Sequence, residues 1–183
     1  MDENYKIGSR DKPTFKWKIG VEEATAEIAI AKELISKLPP NSQLRLDANG
    51  GLTIEQAQTW LEFTEERHIE VEFIEQPLPP SQFTAMMALS KAYSTPLALD
   101  ESVTNISALQ DYYQRGWRGV FVIKCAIAGF PSRLLTFCQQ NELDLVFSSV
   151  FETGIGRQTA LQLASEIGSD RALGFGIDRW FDD

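Results

Sequence analysis

Leu44-Arg45-Leu46-Asp47-Ala48-Asn49-Gly50-Gly51 is the stretch whose reading decides the fold. It begins as a strand and ends as a polar loop. Leu44 and Leu46 point one way and Arg45 and Asp47 the other, because side chains alternate along a strand. Asn49 and the two glycines then stop the strand. An acid at the carboxyl end of a strand, followed by a loop, is the position from which α/β barrels present catalytic groups. A single aspartate of this kind is more often a turn or helix-capping residue. What distinguishes this one is that the pattern recurs, with different residues, at a regular interval.

Upstream, Glu22 to Leu38 reads as a helix with Ala24, Ile28, Ala31 and Ile35 at helical spacing, ended by Pro39-Pro40. Before it, Thr14 to Gly20 reads as a strand with Lys16 and Lys18 on one face. Residues 1–12 read as a polar lead-in, and residues 13–183 are expected to form one domain, a catalytic (β/α) barrel domain. Downstream, Thr53 is expected to cap a helix with Gln56 in the capping-box position, and Ala57, Trp60 and Leu61 form its apolar side to about Arg67. Then follow a strand from Val71 to Gln76 closed by Pro77, a helix from Phe83 to Tyr93, and a strand from Leu97 to Asp100. Ser107 is read as the cap of a helix through Tyr113. Gly119 to Lys124 is an apolar strand, Pro131 to Asn141 a helix, Leu143 to Ser149 a strand, Gly156 to Ile167 a helix, and Leu173 to Ile177 a seventh strand. Short, largely apolar strands alternating with helices indicate a parallel α/β fold, and the number of units favours a TIM-like barrel over an open sheet. An open dinucleotide-binding sheet lacks support, since no Gly-x-Gly-x-x-Gly turn follows the first strand.

A chain of 183 residues is long enough for one domain with a sizeable core. The net charge of -9 argues against a nucleic-acid surface, and admits an anionic substrate only where a metal or local lysines reverse the field. Cys125 and Cys138 have neither metal nor disulfide spacing, which fits a reducing cytoplasm. There is no apolar run of membrane length and no signal-peptide pattern.

Lys18, Asp47, Glu75, Asp100 and Lys124 end successive strands at intervals of roughly 24 to 29 residues, close to one βαβ repeat. In a barrel they converge on one face. Three carboxylates cannot sit together uncompensated, because their repulsion raises their pKa values. A hard divalent cation resolves this, and oxygen-only ligation points to Mg²⁺ or Mn²⁺ rather than zinc. Lys18 and Lys124 would face each other across it, and either could serve as a base. A structural salt-bridge cluster is the alternative. His68 lies on the run-in to a strand and is read as surface.

Lys16-Trp17-Lys18, Asp47-Ala48-Asn49, Glu75-Gln76-Pro77, Asp100-Glu101-Ser102 and Lys124 together resemble the enolase superfamily, in particular its muconate-lactonizing subgroup. Sites of that family pair Lys or His bases with Mg²⁺ and an ene-diolate. The resemblance implies a (β/α)7β barrel, with Asp47, Glu75 and Asp100 as Mg²⁺ ligands and Lys18 and Lys124 flanking the substrate carbon. It also implies that Lys16 sits behind Lys18 and tunes it. Arg45-x-Asp47, Ser148-Ser149-Val150-Phe151-Glu152-Thr153-Gly154 and Gly174-Phe175-Gly176-Ile177-Asp178 look most like the o-succinylbenzoate synthase family, cyanobacterial type. That family dehydrates a cyclohexadiene carboxylate in menaquinone or phylloquinone synthesis. Dipeptide epimerase, N-acylamino-acid racemase and cycloisomerase activities on the same site, or a non-catalytic barrel fragment, remain open. Lys16, Arg45, Asn49, Ser148 and Ser149 are the supporting or substrate-binding candidates, with a barrel-interior ion pair the favoured role for Arg45. The expected partner is a small anionic carboxylate. The family's N-terminal capping domain is missing from this sequence and an eighth strand is not evident, so the barrel is expected to be incomplete, with seven βα units, and prone to self-association in place of a capping segment.

Overall fold

The computed structural model describes residues 13–66 and 71–175. These fall into two compact units, residues 13–102 and residues 103–175. His68, the lead-in of residues 1–12 and the tail from residue 176 lie outside the described residues.

The first unit runs β1 (Thr14–Lys18), α1 (Ala24–Lys37), β2 (Gln43–Asp47), α2 (Ile54–Glu66), β3 (Val71–Glu75), a 3₁₀ turn (Pro80–Gln82), α3 (Phe83–Ala92) and β4 (Leu97–Leu99). Its strands pair in chain order and all are parallel. Parallel neighbours cannot be joined by a tight turn, so a helix crosses between each pair. The register places Lys18 beside Asp47, Asp47 beside Glu75, and Glu75 beside Ala98. The expected face of α2 is the buried one: Ala57, Trp60 and Leu61 are fully enclosed. Trp60 meets Trp17 of β1 edge-on at 6.0 Å and Phe63 at 5.8 Å. The capping box of α2 closes reciprocally. Gln56 Oε1 accepts from Thr53 N at 2.9 Å, and Thr53 Oγ1 accepts from Gln56 N at 3.2 Å.

Two buried acids that the sequence did not single out shape this unit. Glu27, on the buried face of α1, accepts hydrogen bonds from the backbone amides of Gly20, Val21 and Glu22 at 2.8 to 3.1 Å. It thereby fixes the loop that leaves Lys18. Glu72 is the extra residue of a β-bulge, because the register steps from Leu44 opposite Val71 to Arg45 opposite Phe73. A bulge re-aims a side chain, and Glu72 meets Arg45 Nε at 2.6 Å and Nη2 at 3.2 Å. The guanidinium also lies over the Phe73 ring at 4.9 Å.

The second unit contains α4 (Ile106–Gln114), β5 (Val120–Ile123), α5 (Pro131–Gln140), β6 (Leu145–Phe147) and α6 (Gly154–Ile167), with β5 parallel to β6. Three expectations change here. Asn105, not Ser107, caps α4, because Asn105 has an extended backbone and its Oδ1 accepts from Ala108 N at 3.0 Å. The helix α6 starts two residues early, at Gly154, capped by Thr153 Oγ1. Of the seventh strand, the described residues contain a single parallel bridge between Ser148 and Gly174, so six strands rather than seven are defined. Trp117 is enclosed and donates from Nε1 to the Val120 carbonyl at 3.2 Å. The loops after β5 and β6 leave Phe130 and Phe151 exposed. No helix among the described residues is long and apolar enough to cross a membrane.

Two predictions follow from this packing. Arg45→Ala should cost about 3–5 kcal/mol in urea unfolding, because it strands a buried carboxylate, while Arg45→Met combined with Glu72→Met should recover most of that loss. An equal loss in the single and double variants would show that the pair is not what holds this end of the strands. Burial pushes the Cys125 thiol up to about 12 and the Cys138 thiol up to about 11. Both should therefore react with a disulfide reagent far more slowly in the folded chain than in denaturant, where thiols titrate near ~8.5. Rapid modification of either in the native chain would contradict this.

Candidate active site

The carboxyl ends of β1 to β4 gather most of the expected residues. Asp47, Glu75 and Asp100 are all buried. The backbone ladder continues one step beyond the strands: Asp47 O accepts from Ile19 N at 2.8 Å, Glu75 O from Ala48 N at 3.0 Å, and Ala98 O from Gln76 N at 2.8 Å. The acids therefore leave a rigid edge, not loose loops.

Gln76 is a site residue whose role sequence reasoning missed. It is fully enclosed with a positive φ of 38°. Its Oε1 accepts from Asp100 N at 2.9 Å and from Ser102 N at 3.1 Å, and its Nε2 donates to Leu78 O at 2.8 Å. One buried amide thus fixes the end of β4 against the end of β3. The signal was a glutamine between Glu75 and Pro77 at a strand end, where a buried amide must find partners for both of its ends.

Lys16 Nζ lies 2.7 Å from Asp47 Oδ2 and 2.9 Å from Glu75 Oε1. The Lys16 side chain is 44% exposed, whereas those of Asp47 and Glu75 are 11% and 2% exposed. Burial pushes the Glu75 carboxyl up to about 8, opposed by the Lys16 charge and reinforced by Asp47 and Asp100. The Lys16 ammonium is raised in turn by Glu75 and Asp47, which outweigh its own desolvation. Lys18 takes a different partner: its Nζ donates to Asn49 Oδ1 at 2.5 Å.

As the side chains stand, no group of three His, Cys, Asp or Glu among the described residues is arranged as a ready metal cage. Asp47 and Glu75 are instead turned onto Lys16. The donor set nonetheless fits a hard divalent cation. Three buried acids crowd closely enough to push a carboxyl pKa upward, and a single cationic nitrogen already bridges two of them.

Arg45 is spent on Glu72. In the second unit, Lys124 follows β5, half-buried, and its carbonyl accepts from Ile127 N and Ala128 N at 3.0 Å. Ser148 Oγ and Ser149 Oγ both donate to the Gly174 carbonyl, at 3.2 and 3.3 Å. A Cβ at Gly174 would stand 3.0 Å from Ser148 Oγ and 3.3 Å from its Cβ, so a larger residue there would push Ser148 aside.

Residues 9–181 match the family model for the enolase C-terminal domain-like fold. The chain belongs to that family. Its βα repeat is that of the family's parallel α/β barrel, with six strands among the described residues. The chain is 42% identical to the o-succinylbenzoate synthase of Thermosynechococcus vestitus over 93% of its own length and 54% of that protein's. A crystal structure of o-succinylbenzoate synthase from Thermosynechococcus elongatus, complexed with Mg in the active site, superposes with a TM-score of 0.84 at 43% identity, covering 91% of this chain and 53% of that one. The L-Ala-D/L-Glu epimerase of Bacillus subtilis is 26% identical over 83% of this chain and 42% of its own. The chain therefore spans about half the length of the curated relatives it matches.

A divalent cation held by Asp47 and Glu75 would compete with Lys16 for the same oxygens, which yields a prediction. Lys16→Met should tighten Mg²⁺ binding roughly tenfold, since removing an ammonium at this range is worth on the order of 1–4 kcal/mol at protein-surface dielectric. Titration calorimetry on both chains reads this directly. Unchanged or weaker binding in the variant would show that Lys16 does not hold the acids against the metal.

Proposed function

We propose that this chain is part of a Mg²⁺-dependent carbon–oxygen lyase of the o-succinylbenzoate synthase type, acting on a cyclohexadiene carboxylate in menaquinone or phylloquinone synthesis. The reading rests on one observation: Lys18, Asp47 and Glu75 are register neighbours at the ends of adjacent strands. That neighbourhood supports reading a base beside a cation site. The relatives named o-succinylbenzoate synthase support the choice of chemistry.

Asp47, Glu75 and Asp100 would hold Mg²⁺, with Mn²⁺ satisfying the same oxygen preference. Bound there, the cation would supply Lewis-acid stabilisation of negative charge on the substrate carboxylate. Lys18 takes the proton from the carbon next to that carboxylate and returns it to the departing hydroxyl. One C–H and one C–O bond break, a carbon–carbon double bond forms, and one water leaves, so atoms and electrons balance. Lys124 stays charged and stabilises the developing anion, a role given to it by the family resemblance. Lys16 neutralises part of the acid cluster and keeps Lys18 from being drawn into it. Ser148 and Ser149 are the candidates for the substrate's second carboxylate, at the cost of their bonds to Gly174.

The L-Ala-D/L-Glu epimerase relative favours a second reading, proton exchange at a carbon next to a carboxylate without loss of water. Two lysines on opposite faces of one carbon suit that reaction too. Steady-state assays for dehydration and epimerisation, on this chain and on a version extended at its N-terminus, separate the two readings.

Lys18→Ala should lower dehydration by about 10²–10⁴-fold, the usual worth of a positioned general base. Solvent deuterium entering the substrate carbon should disappear with it. Full activity in Lys18→Ala would remove Lys18 from this role, and dominant epimerisation in the unaltered chain would select the second reading.

A further inference from the structure

Lys16 and Lys18 lie two residues apart on the same face of β1, yet their side chains reach chemically different partners. The register pairs Lys16 with Arg45 and Lys18 with Asp47. Each lysine reaches past its register partner to the residue two further along: Lys16 to Asp47, and Lys18 to Asn49. Diagonal neighbours of this kind are within reach of long side chains, which lean along the strand. Lys16 consequently meets two carboxylates, and Lys18 meets a neutral amide.

That amide is held from several sides. Asn49 has a φ of 45°, a left-handed conformation that asparagine tolerates better than most residues. Its backbone N donates to Asp47 Oδ1 at 3.1 Å. The next residue, Gly50, donates from its N to Gln76 O at 2.6 Å. Asn49 Nδ2 donates to Glu101 Oε1 at 3.0 Å. The second oxygen, Glu101 Oε2, is buried with no hydrogen-bond partner among the described residues. The carboxylate therefore faces the Asn49 amide, and the polarity of that amide is fixed at both ends. Its NH₂ end faces an acid and its carbonyl faces an ammonium, and the flipped amide would oppose like with like at each.

We propose that Asn49 and Glu101 are positioning residues for Lys18: Glu101 orients the Asn49 amide, and the amide carbonyl holds the Lys18 nitrogen away from the acids that Lys16 occupies. The inference rests on the proposed function for the catalytic role of Lys18, while the positioning itself is independent of turnover. A neutral acceptor suits a proton-transferring amine. It fixes the nitrogen without the carboxylate contact that would keep every proton in place. Asn49 is argued to act through Lys18, and Glu101 through Asn49.

The test uses the full chain and reads the Lys18 ammonium by ¹⁵N–¹³C side-chain NMR, assigned by its loss in Lys18→Met. Asn49→Gly removes the amide while allowing the positive φ, so backbone strain does not confuse the result. The Lys18 Nζ order parameter should fall by about half in Asn49→Gly and in Glu101→Ala, as a held group becomes a freely rotating one. In Glu101→Gln, whose side-chain oxygen still accepts from Asn49, it should return close to the unaltered value. A purely structural role would not give this rescue. An unchanged Lys18 signal in Asn49→Gly overturns the proposal, and an unchanged signal in Glu101→Ala removes Glu101 from it. Should Asn49→Gly not fold, the Glu101 pair decides alone. Kinetics run in parallel: where the unaltered chain turns over, Asn49→Gly should lower kcat about 10²-fold with little change in KM. Unaltered kcat would also overturn the proposal. A chain that never turns over but loses Lys18 order in these variants would refute the lyase reading and leave the positioning standing.

Discussion

Asp47 and Glu75 stand side by side on neighbouring strands, both out of water, and their mutual repulsion constrains the rest of the first unit. Parallel strands in register bring like residues at strand ends together whether or not their charges agree. Here the cost is visible in the Glu75 carboxyl, pushed up to about 8 by burial and by two neighbouring acids. Such a pair persists only where something cationic meets it and the backbone cannot move the charges apart. Lys16 supplies the first condition. The ladder bonds that run one step beyond each strand, together with the Gln76 clamp on Asp100, supply the second.

The same arrangement assigns different chemistry to two identical side chains. Arg45, Asp47 and Asn49 alternate along one face of β2 and its loop, opposite Lys16 and Lys18 on β1. Because each lysine reaches one diagonal step toward the carboxyl end, the order arginine, aspartate, asparagine on β2 decides what each lysine meets. Arg45 would repel Lys16 but is neutralised by Glu72 on the bulge. Lys16 is thereby free to serve the acids, and Lys18 is left with an amide. A one-residue slip of β1 against β2 would turn both lysines to the opposite face.

Much of this was legible in the sequence. Period-two alternation placed Lys16, Lys18, Arg45 and Asp47 on common faces, and the strand-end spacing identified Glu75 and Asp100. The capping box at Thr53 and Gln56 formed as its residues require. What stayed hidden depends on register and on individual backbone angles, which spacing does not encode. Glu72 reads as an outward strand residue until the bulge turns it toward Arg45. Gln76 reads as the residue before a proline until its positive φ aims the amide at the end of β4. Glu101 was legible only as a member of the Asp100-Glu101-Ser102 motif, and its contact with Asn49 spans a separation of 52 residues. Ser107 misled because a serine near a helix start is as good a cap by type as Asn105. Only the extended backbone at Asn105 distinguishes them.

The three acids, both β1 lysines and the residues that fix them all belong to the first unit, whereas Lys124 belongs to the second. The proposed cation site and the Lys18–Asn49 contact therefore draw only on β1 to β4 and their loops. Proton transfer from a carbon next to a bound carboxylate would ask for more: water must be excluded so that fixed charges act at full strength. These requirements have different physical origins, one in strand register and hydrogen bonding, the other in coverage of the reacting atoms. The residues proposed for the first requirement all lie among the described residues of the first unit. Cation affinity and Lys18 order thus report on the first unit, while catalytic rate reports on everything that closes around it.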